Sequence, residues 1–304
     1  FFNMQTKMSN TIRFLAADMV QAANSGHPGM PMGLADIMTV FSDYYRHNPK
    51  NPKWLNRDRV VFSGGHGSAL IYSMLHLWGY DLSLDDLKAF RQLDSKTPGH
   101  PESTHTAGIE VTTGPLGQGV ANAVGFSMAS QHASYLLNSD EAKFINHKVY
   151  CFCGDGDLEE GISYEACSMA GHNKCDNLVL IYDSNNITIE GNTDISISEN
   201  IEMRFTSQGW DVIEIDGHDF TQITNAFDQA QTQTKPLLII AKTKIGRGAA
   251  TMEGSHHTHG APLGEEELKA SKEKAGCSID SFVVPEDVKV RFSSILEKGD
   301  LLER

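Results

Sequence analysis

Short apolar runs alternating with stretches of helical period constrain this chain more than any other feature. Lys148–Cys153 (KVYCFC), Asn177–Tyr182 (NLVLIY), Trp210–Ile215 and Pro236–Lys242 (PLLIIAK) read as strands, and 158–172 and 219–232 as helices among them. In the first run Val149, Cys151 and Cys153 alternate onto one face, and Tyr150 and Phe152 onto the other. Upstream, 4–24 carries Met8, Ile12, Leu15, Met19 and Ala23 at helical spacing, and 32–45, 67–78 and 116–137 share that character. Arg59–Ser63 is a further strand that breaks at Gly64-Gly65. Strands apolar on both faces, alternating with helices, imply an α/β fold: a parallel-stranded sheet covered by helices on both faces. At 304 residues the chain suits one large α/β domain or two smaller ones. Ligands of such sheets gather beyond the carboxyl ends of the strands. Chemistry is therefore expected just after Ser63, Cys153, Tyr182 and Lys242.

Charge narrows the partners. With 25 Lys and Arg against 39 Asp and Glu the net charge is −14, which weighs against nucleic acid or an anionic membrane as partner. No apolar run approaches the roughly 20 residues that span a bilayer, and no signal-peptide layout opens the chain, so a cytoplasmic protein is expected. Five Cys without CxxC pairs read as free thiols, with Cys151 and Cys153 packing in the core. The charged run from about 263 reads as a solvated helix face. No terminal element is evident before Glu303-Arg304, and the chain is expected to belong to a longer polypeptide.

Gly154-Asp155-Gly156 follows the KVYCFC strand directly. Its glycines permit a sharp turn and close approach of a ligand, and its Asp offers a hard anionic oxygen; a plain Asp-Gly turn has the same residues. Asp183-Ser184-Asn185-Asn186-Ile187 closes the next strand, so adjacent strand ends bring Asp155 and Asn185 together. Mg²⁺ takes about six oxygens and seldom more than two carboxylates. Asp155, the Asn185 amide oxygen and a backbone carbonyl near Ile187 supply three, leaving two diphosphate oxygens and a water; Ca²⁺ or Mn²⁺ are possible substitutes. Four of the 13 histidines sit beside glycine: His27, His66, His100 and His259. They read as turn residues or as neutral donors and proton shuttles. His256-His257-Thr258-His259 is alternatively a zinc cluster. Thr112–Gly119 reads as a tight helix entrance, Glu160 as a helix-start residue favourable to the local dipole, and Ile245 as a core or loop residue.

The GDG through Asn185-Asn186 resembles the signature of thiamine-diphosphate enzymes. Asn24-Ser25-Gly26-His27-Pro28-Gly29, Ser63-Gly64-Gly65-His66-Gly67, Gly99-His100-Pro101-Glu102, Thr112–Gly119 and His259-Gly260-Ala261-Pro262-Leu263 extend the resemblance to the transketolase family across residues 20–265. The resemblance implies a thiamine-diphosphate-binding fold, with 1–304 as the diphosphate-binding domain and the pyrimidine-binding and C-terminal domains outside this chain. It implies ketol transfer between sugar phosphates, such as xylulose 5-phosphate to ribose 5-phosphate, with thiamine diphosphate and Mg²⁺.

By the same resemblance Asp155, Asn185 and Ile187 hold the metal, while His66, Gly156, Asn185 and His259 meet the cofactor diphosphate. Gly114, Pro115, Leu116 and Ile245 pack its rings; His27, His100 and His259 face substrate as the catalytic groups. Glu160, also expected among the cofactor-binding residues, lies at the subunit interface and couples two active sites in a homodimer formed through the pyrimidine-binding domain of the other subunit. The glutamate that activates the aminopyrimidine and the Arg/Ser grip on the sugar phosphate lie in that following domain, so this chain alone is expected to catalyse little. Deoxyxylulose-phosphate synthase shares the GDG…N site but not the His27-Pro28, His100-Pro101-Glu102 and GPLGQG motifs. Dihydroxyacetone synthase, a subunit of a split transketolase and a non-catalytic cofactor-binding module remain as alternatives.

Overall fold

The computed structural model describes residues 3–189 and 191–304. Two long helices lead: α1 (Met4–Ala23), which ends at left-handed Asn24, and α2 (Gly29–Phe41). Then come β1 (Arg59–Phe62), α3 (Ser68–Leu77), α4 (Leu84–Lys88) and α5 (Gln118–Leu137). The centre holds β2 (Val149–Cys153), α6 (Asp155–Glu159), α7 (Gly161–His172), β3 (Leu178–Ser184) and the small hairpin β4 (Ile187–Thr188) and β5 (Gly191–Asn192). α8 (Ile201–Ser207), β6 (Asp211–Asp216), α9 (Phe220–Gln231), β7 (Leu237–Lys242), α10 (Glu265–Lys274) and α11 (Glu286–Glu303) complete it.

The main sheet is parallel throughout, in the order β1-β2-β3-β7-β6. From β3 the chain crosses to the far edge at β6 and returns to β7 beside β3. The alternation in β2 works as expected. Tyr150 and Phe152 join Phe41, Phe62 and Phe227 in the core under α1, α2, α3 and α9. Val149, Cys151 and Cys153 face the opposite core with Val120, Val124 and Cys167, under α5 and α7. Both cysteines are fully buried and burial pushes their thiols well up, so they remain packed, unreactive SH groups. All five thiols are free.

Several boundaries differ from the sequence reading, each with a local cause. β3 continues two residues past Tyr182, because Asp183 and Ser184 pair in register with Ala241 and Lys242. The helix expected over 158–172 is two helices, broken at Glu160, whose backbone is extended (ψ 135°). α2 starts earlier than 32, at Gly29, in the turn that follows His27. The charged run does form a helix, α10, but Lys272 within it is buried: its Nζ donates to Asp18 Oδ1 at 2.6 Å and to the Asp280 carbonyl at 2.9 Å. The unexpected terminal element is α11, which lays Val288, Phe292, Ile295 and Gly299 inward, a helical stripe diluted by charged neighbours. A Cβ on Gly299 would lie 2.0 Å from the His47 carbonyl oxygen, so only glycine permits that approach. No described helix is long and apolar enough to cross a membrane.

Candidate functional site

The carboxyl ends of β1, β2, β3 and β7 converge on one cavity of about 280 Å³. Its walls include His27, His66, His259, Gly114, Leu116, Ile245, Gly154, Asp155, Gly156, Asp183, Asn185 and Ile187. These residues come from seven separate stretches of sequence, and the parallel topology is what gathers them.

Asp157, which the sequence reading passed over, ties the floor together. It is fully buried. Its Oδ1 accepts from Ser63 Oγ at 2.7 Å and from the Gly117 backbone N–H at 2.9 Å, while Oδ2 accepts from the Gly154 N–H at 2.9 Å. Ser63 Oγ in turn accepts from the Val120 N–H at 3.2 Å. One carboxylate thereby locks the ends of β1 and β2 to the start of α5. The glycines of the 112–119 segment follow from that lock. Gly117 has φ +80°, and a Cβ on Gly119 would sit 2.4 Å from Ser63 Cα. The second Asp of Gly154-Asp155-Gly156-Asp157 was the available signal.

Beside this lock lie two carboxylates with fewer partners. Burial pushes Asp155 up to about 6 and Asp183 up to about 7, and each charge raises the cost of ionising its neighbours. The Tyr182 hydroxyl donates to Asp155 Oδ1. Thr243 Oγ1 donates to Asp183 Oδ1, and Asn185 Nδ2 donates to Asp183 Oδ2 at 2.9 Å. That last bond orients the amide: Asn185 Oδ1 is turned away from Asp183 and accepts the Ile187 N–H at 2.9 Å. An amide oxygen has a second lone pair for a cation. The donor set is all oxygen and anionic in excess, which is what a hard divalent cation requires. Gly154 opposite it has nothing within 4 Å of a would-be Cβ, so the backbone there is bare toward the cavity. The residues present thus fit a divalent cation, with open space beside Gly154 for a group that the cation would carry, the Gly154 N–H itself being held by Asp157.

The opposite wall is imidazole. His27, His66 and His259 stand with ring centroids 5.3–5.7 Å apart. Burial, and then repulsion by the other histidines, lowers His27 to about 4 and His66 to about 3; burial also lowers His259. All three are neutral at physiological pH. His100 is exposed at the rim, its ring carbons 3.7 Å from a would-be Cβ on Gly114, and is lowered by burial and by Arg91. His259 turns into the cavity, whereas His256 and His257 are exposed and stack on each other at 4.1 Å. Leu116 and buried Ile245 supply apolar walls, and a Cβ on Gly156 would meet Leu116 Cδ1 at 2.8 Å.

Three expected residues are not in the cavity wall: His100, at the rim, and Pro115 and Glu160. Pro115 is exposed between Gly114 and Leu116, because adjacent loop residues cannot all face one side. Glu160 is exposed at the α6–α7 break, its Cβ 2.8 Å from a would-be Cβ on Gly117.

Comparison with known proteins shows the family of this chain. Residues 4–304 match the family described as "Transketolase, thiamine diphosphate binding domain". The chain belongs to the transketolase family. It is 50% identical over 301 residues to transketolase 1 of Pasteurella multocida, covering 98% of this chain and 45% of that one. A crystal structure of transketolase from Campylobacter jejuni superposes with a TM-score of 0.96 at 62% identity, over 100% of this chain and 48% of the other. A Pichia stipitis transketolase in complex with sedoheptulose-7-phosphate superposes at 0.97 with 45% identity, over 99% of this chain and 45% of that one. The chain therefore spans about half the length of the transketolases it matches, and its α/β architecture is theirs.

Proposed function

We propose that the protein carrying this chain is a transketolase, and that residues 1–304 form its diphosphate-binding domain. It moves a two-carbon ketol unit from a ketose phosphate such as xylulose 5-phosphate to an aldose phosphate such as ribose 5-phosphate. The reading rests on one observation above the others: a neutral imidazole wall faces an oxygen-rich acidic floor across a single cavity. It is supported by relatives solved with sedoheptulose-7-phosphate and xylulose-5-phosphate.

Asp155, the Asn185 amide oxygen and the Ile187 carbonyl are the metal ligands, with Mg²⁺ the natural choice and Ca²⁺ or Mn²⁺ as substitutes. His66, Gly156, Asn185 and His259 receive the diphosphate, where neutral donors bind anionic oxygens without a buried charge to desolvate. Leu116, Ile245 and Gly114 pack the rings. Thiamine diphosphate, when bound, supplies the nucleophilic carbon that carries the ketol unit. The chain's own contribution is to exclude water and to move hydroxyl protons. His27, His100 and His259 are neutral at working pH and so able both to accept and to donate a proton. Glu160, exposed beside Ile162 and Met169, faces a partner subunit of a cytoplasmic homodimer, in which the partner's pyrimidine-binding domain completes the site.

The test is a ketol-transfer assay on the full-length protein with xylulose 5-phosphate, ribose 5-phosphate, thiamine diphosphate and Mg²⁺, paired with its intact mass. Activity from a single polypeptide about twice the mass of this chain supports the reading. Activity only after a second polypeptide is added points to a split enzyme. Cofactor binding without transfer under any pairing overturns the catalytic assignment in favour of a supporting module.

A further inference from the structure

We propose that Arg91 is a positioning residue that fixes His27 in its Nε2–H tautomer. The geometry is direct. Arg91 Nη2 lies 3.4 Å from His27 Nδ1, and Arg91 Nη1 donates to Ser25 Oγ at 3.0 Å. A guanidinium has five N–H donors and no acceptor. His27 Nδ1 must therefore be the unprotonated nitrogen, and the ring proton resides on Nε2. His27 lines the cavity and Arg91 does not, so the cation approaches from behind and leaves the Nε2 side for the ligand. Without this contact a buried neutral imidazole would be free to exchange tautomers, and the Nδ1–H form would present a bare nitrogen where a donor is wanted.

The surroundings are built for the contact. Arg91 sits at φ +61°, a left-handed conformation that costs a non-glycine residue about 1 kcal/mol, and its N–H is held by the Thr97 carbonyl at 2.9 Å. Its Nε is buried without a hydrogen-bond partner and lies 3.2 Å from a would-be Cβ on Gly99. Gly26, at φ +135°, packs so closely on Phe90 that a Cβ would approach that ring to 3.0 Å. Residues 90–91 thus clamp the loop carrying His27 on one side and abut the loop carrying His100 on the other. No carboxylate pairs with Arg91 among the described residues, so no ion pair offsets its charge. The charged and titratable groups facing His27 are Arg91, His66, His100 and His259. A protonated His27 would also be repelled by Arg91, which adds to the burial and the His259 repulsion that keep the ring neutral, while the tautomer is set by Arg91.

The role in turnover rests on the transketolase reading, but the tautomer does not, and the experiment separates them. Long-range ¹H–¹⁵N NMR on ¹⁵N-histidine-labelled full-length protein reads the protonated nitrogen of His27 directly. The Nε2–H form is expected in wild type; an Nδ1–H form overturns the proposal whatever the activity. In Arg91→Met a tautomer mixture is expected, with a raised His27 pKa and kcat/KM for ketol transfer reduced about 10- to 100-fold, while thiamine diphosphate affinity changes less than about twofold. An unchanged tautomer and pKa in that variant overturn it. Arg91→Lys, which keeps a donor-only charge, is expected to hold the His27 pKa closer to wild type and to lose less kcat/KM than Arg91→Met. Equal losses in the two variants would overturn it too, and this arm stands if the methionine variant fails to fold. A wild-type protein that shows the Nε2–H tautomer but no ketol transfer removes the function reading and leaves the tautomer assignment intact.

Discussion

The two walls of the cavity respond to the same burial in opposite directions. Low dielectric penalises whichever form carries charge, so the imidazoles of His27, His66 and His259 lose their protons while the carboxyls of Asp155 and Asp183 gain them. Left to itself the cavity approaches electrical neutrality. On the function proposed above, a metal–diphosphate pair would reverse this on one wall only: the cation would restore the carboxylates, and the anion would be met by N–H donors that need no charge. Asp157 sharpens the contrast from within the acidic wall. Its three hydrogen bonds are spent on the scaffold, whereas Asp155 and Asp183 keep oxygens for something else.

The largest effect is expected where the scaffold carboxylate is removed. Asp157→Ala strands Ser63 Oγ and the N–H groups of Gly117 and Gly154, each costing about 1–3 kcal/mol when buried unpaired. Urea denaturation should show a loss of about 4 kcal/mol, and a loss under about 1 kcal/mol would mean that the lock is not what ties these strand ends to α5. Asp155→Ala should instead leave the fold intact and weaken Mg²⁺-dependent thiamine diphosphate binding by at least about 100-fold, more than the usual cost of an outer-shell change. Calorimetry with and without chelator separates the two carboxylates.

Gly154→Ala and Gly156→Ala test the bare backbone. The first adds a methyl to empty space, so stability should change by less than about 1 kcal/mol while cofactor affinity falls about tenfold or more. The second drives a methyl against Leu116 and should cost stability of about 1–2 kcal/mol as well as affinity. Equal cofactor affinity for Gly154→Ala and wild type would mean the ligand does not approach there.

The opposed walls also predict opposed pH slopes. Asp155 and Asp183 have folded pKa values raised above 3.8, so their contribution to stability is complete below that pH and is lost as pH rises through about 6 to 7. His27 and His66 have folded values lowered from 6.5, so theirs is present above 6.5 and is lost as pH falls through about 4 to 3. Between pH 4 and 6.5 these trends offset, and the metal-free protein should show a nearly flat melting temperature from this site. Saturating Mg²⁺ removes the acidic half, so stability should then rise with pH. Mg²⁺ affinity itself should gain about tenfold per pH unit for each proton displaced. A Mg²⁺ affinity independent of pH from 5 to 7 would contradict the raised carboxyls. The smallest effect belongs to Pro115→Ala, which lies outside the wall and should leave cofactor affinity within about twofold.

How far the sequence alone reaches depends on the kind of constraint. The parallel sheet was legible because its strands are apolar on both faces, and the glycine-bounded motifs marked the strand ends where the cavity forms. Asp155, His27, His66 and His259 stood out because each adjoins a turn glycine, and Asn185 because it closes the strand that follows the Asp155 turn. Asp157, Asp183 and Arg91 did not. Their significance is a partner distant in sequence: Ser63 for Asp157, Thr243 for Asp183 and His27 for Arg91. α11 was hidden for a related reason, since its inward stripe is diluted by charged residues and its partners, such as the His47 carbonyl, are distant along the chain. Lys272 looked like any exposed lysine until Asp18, far away along the chain, was brought to it.

The central claim is that the acidic floor binds a divalent cation which in turn holds the cofactor diphosphate. Titration calorimetry of thiamine diphosphate into the full-length protein, with Mg²⁺ and then with chelator, for wild type and Asp155→Ala, tests it most directly. Tight binding only in wild type with Mg²⁺ is the predicted result. Binding that survives both the chelator and the loss of Asp155 would contradict the account.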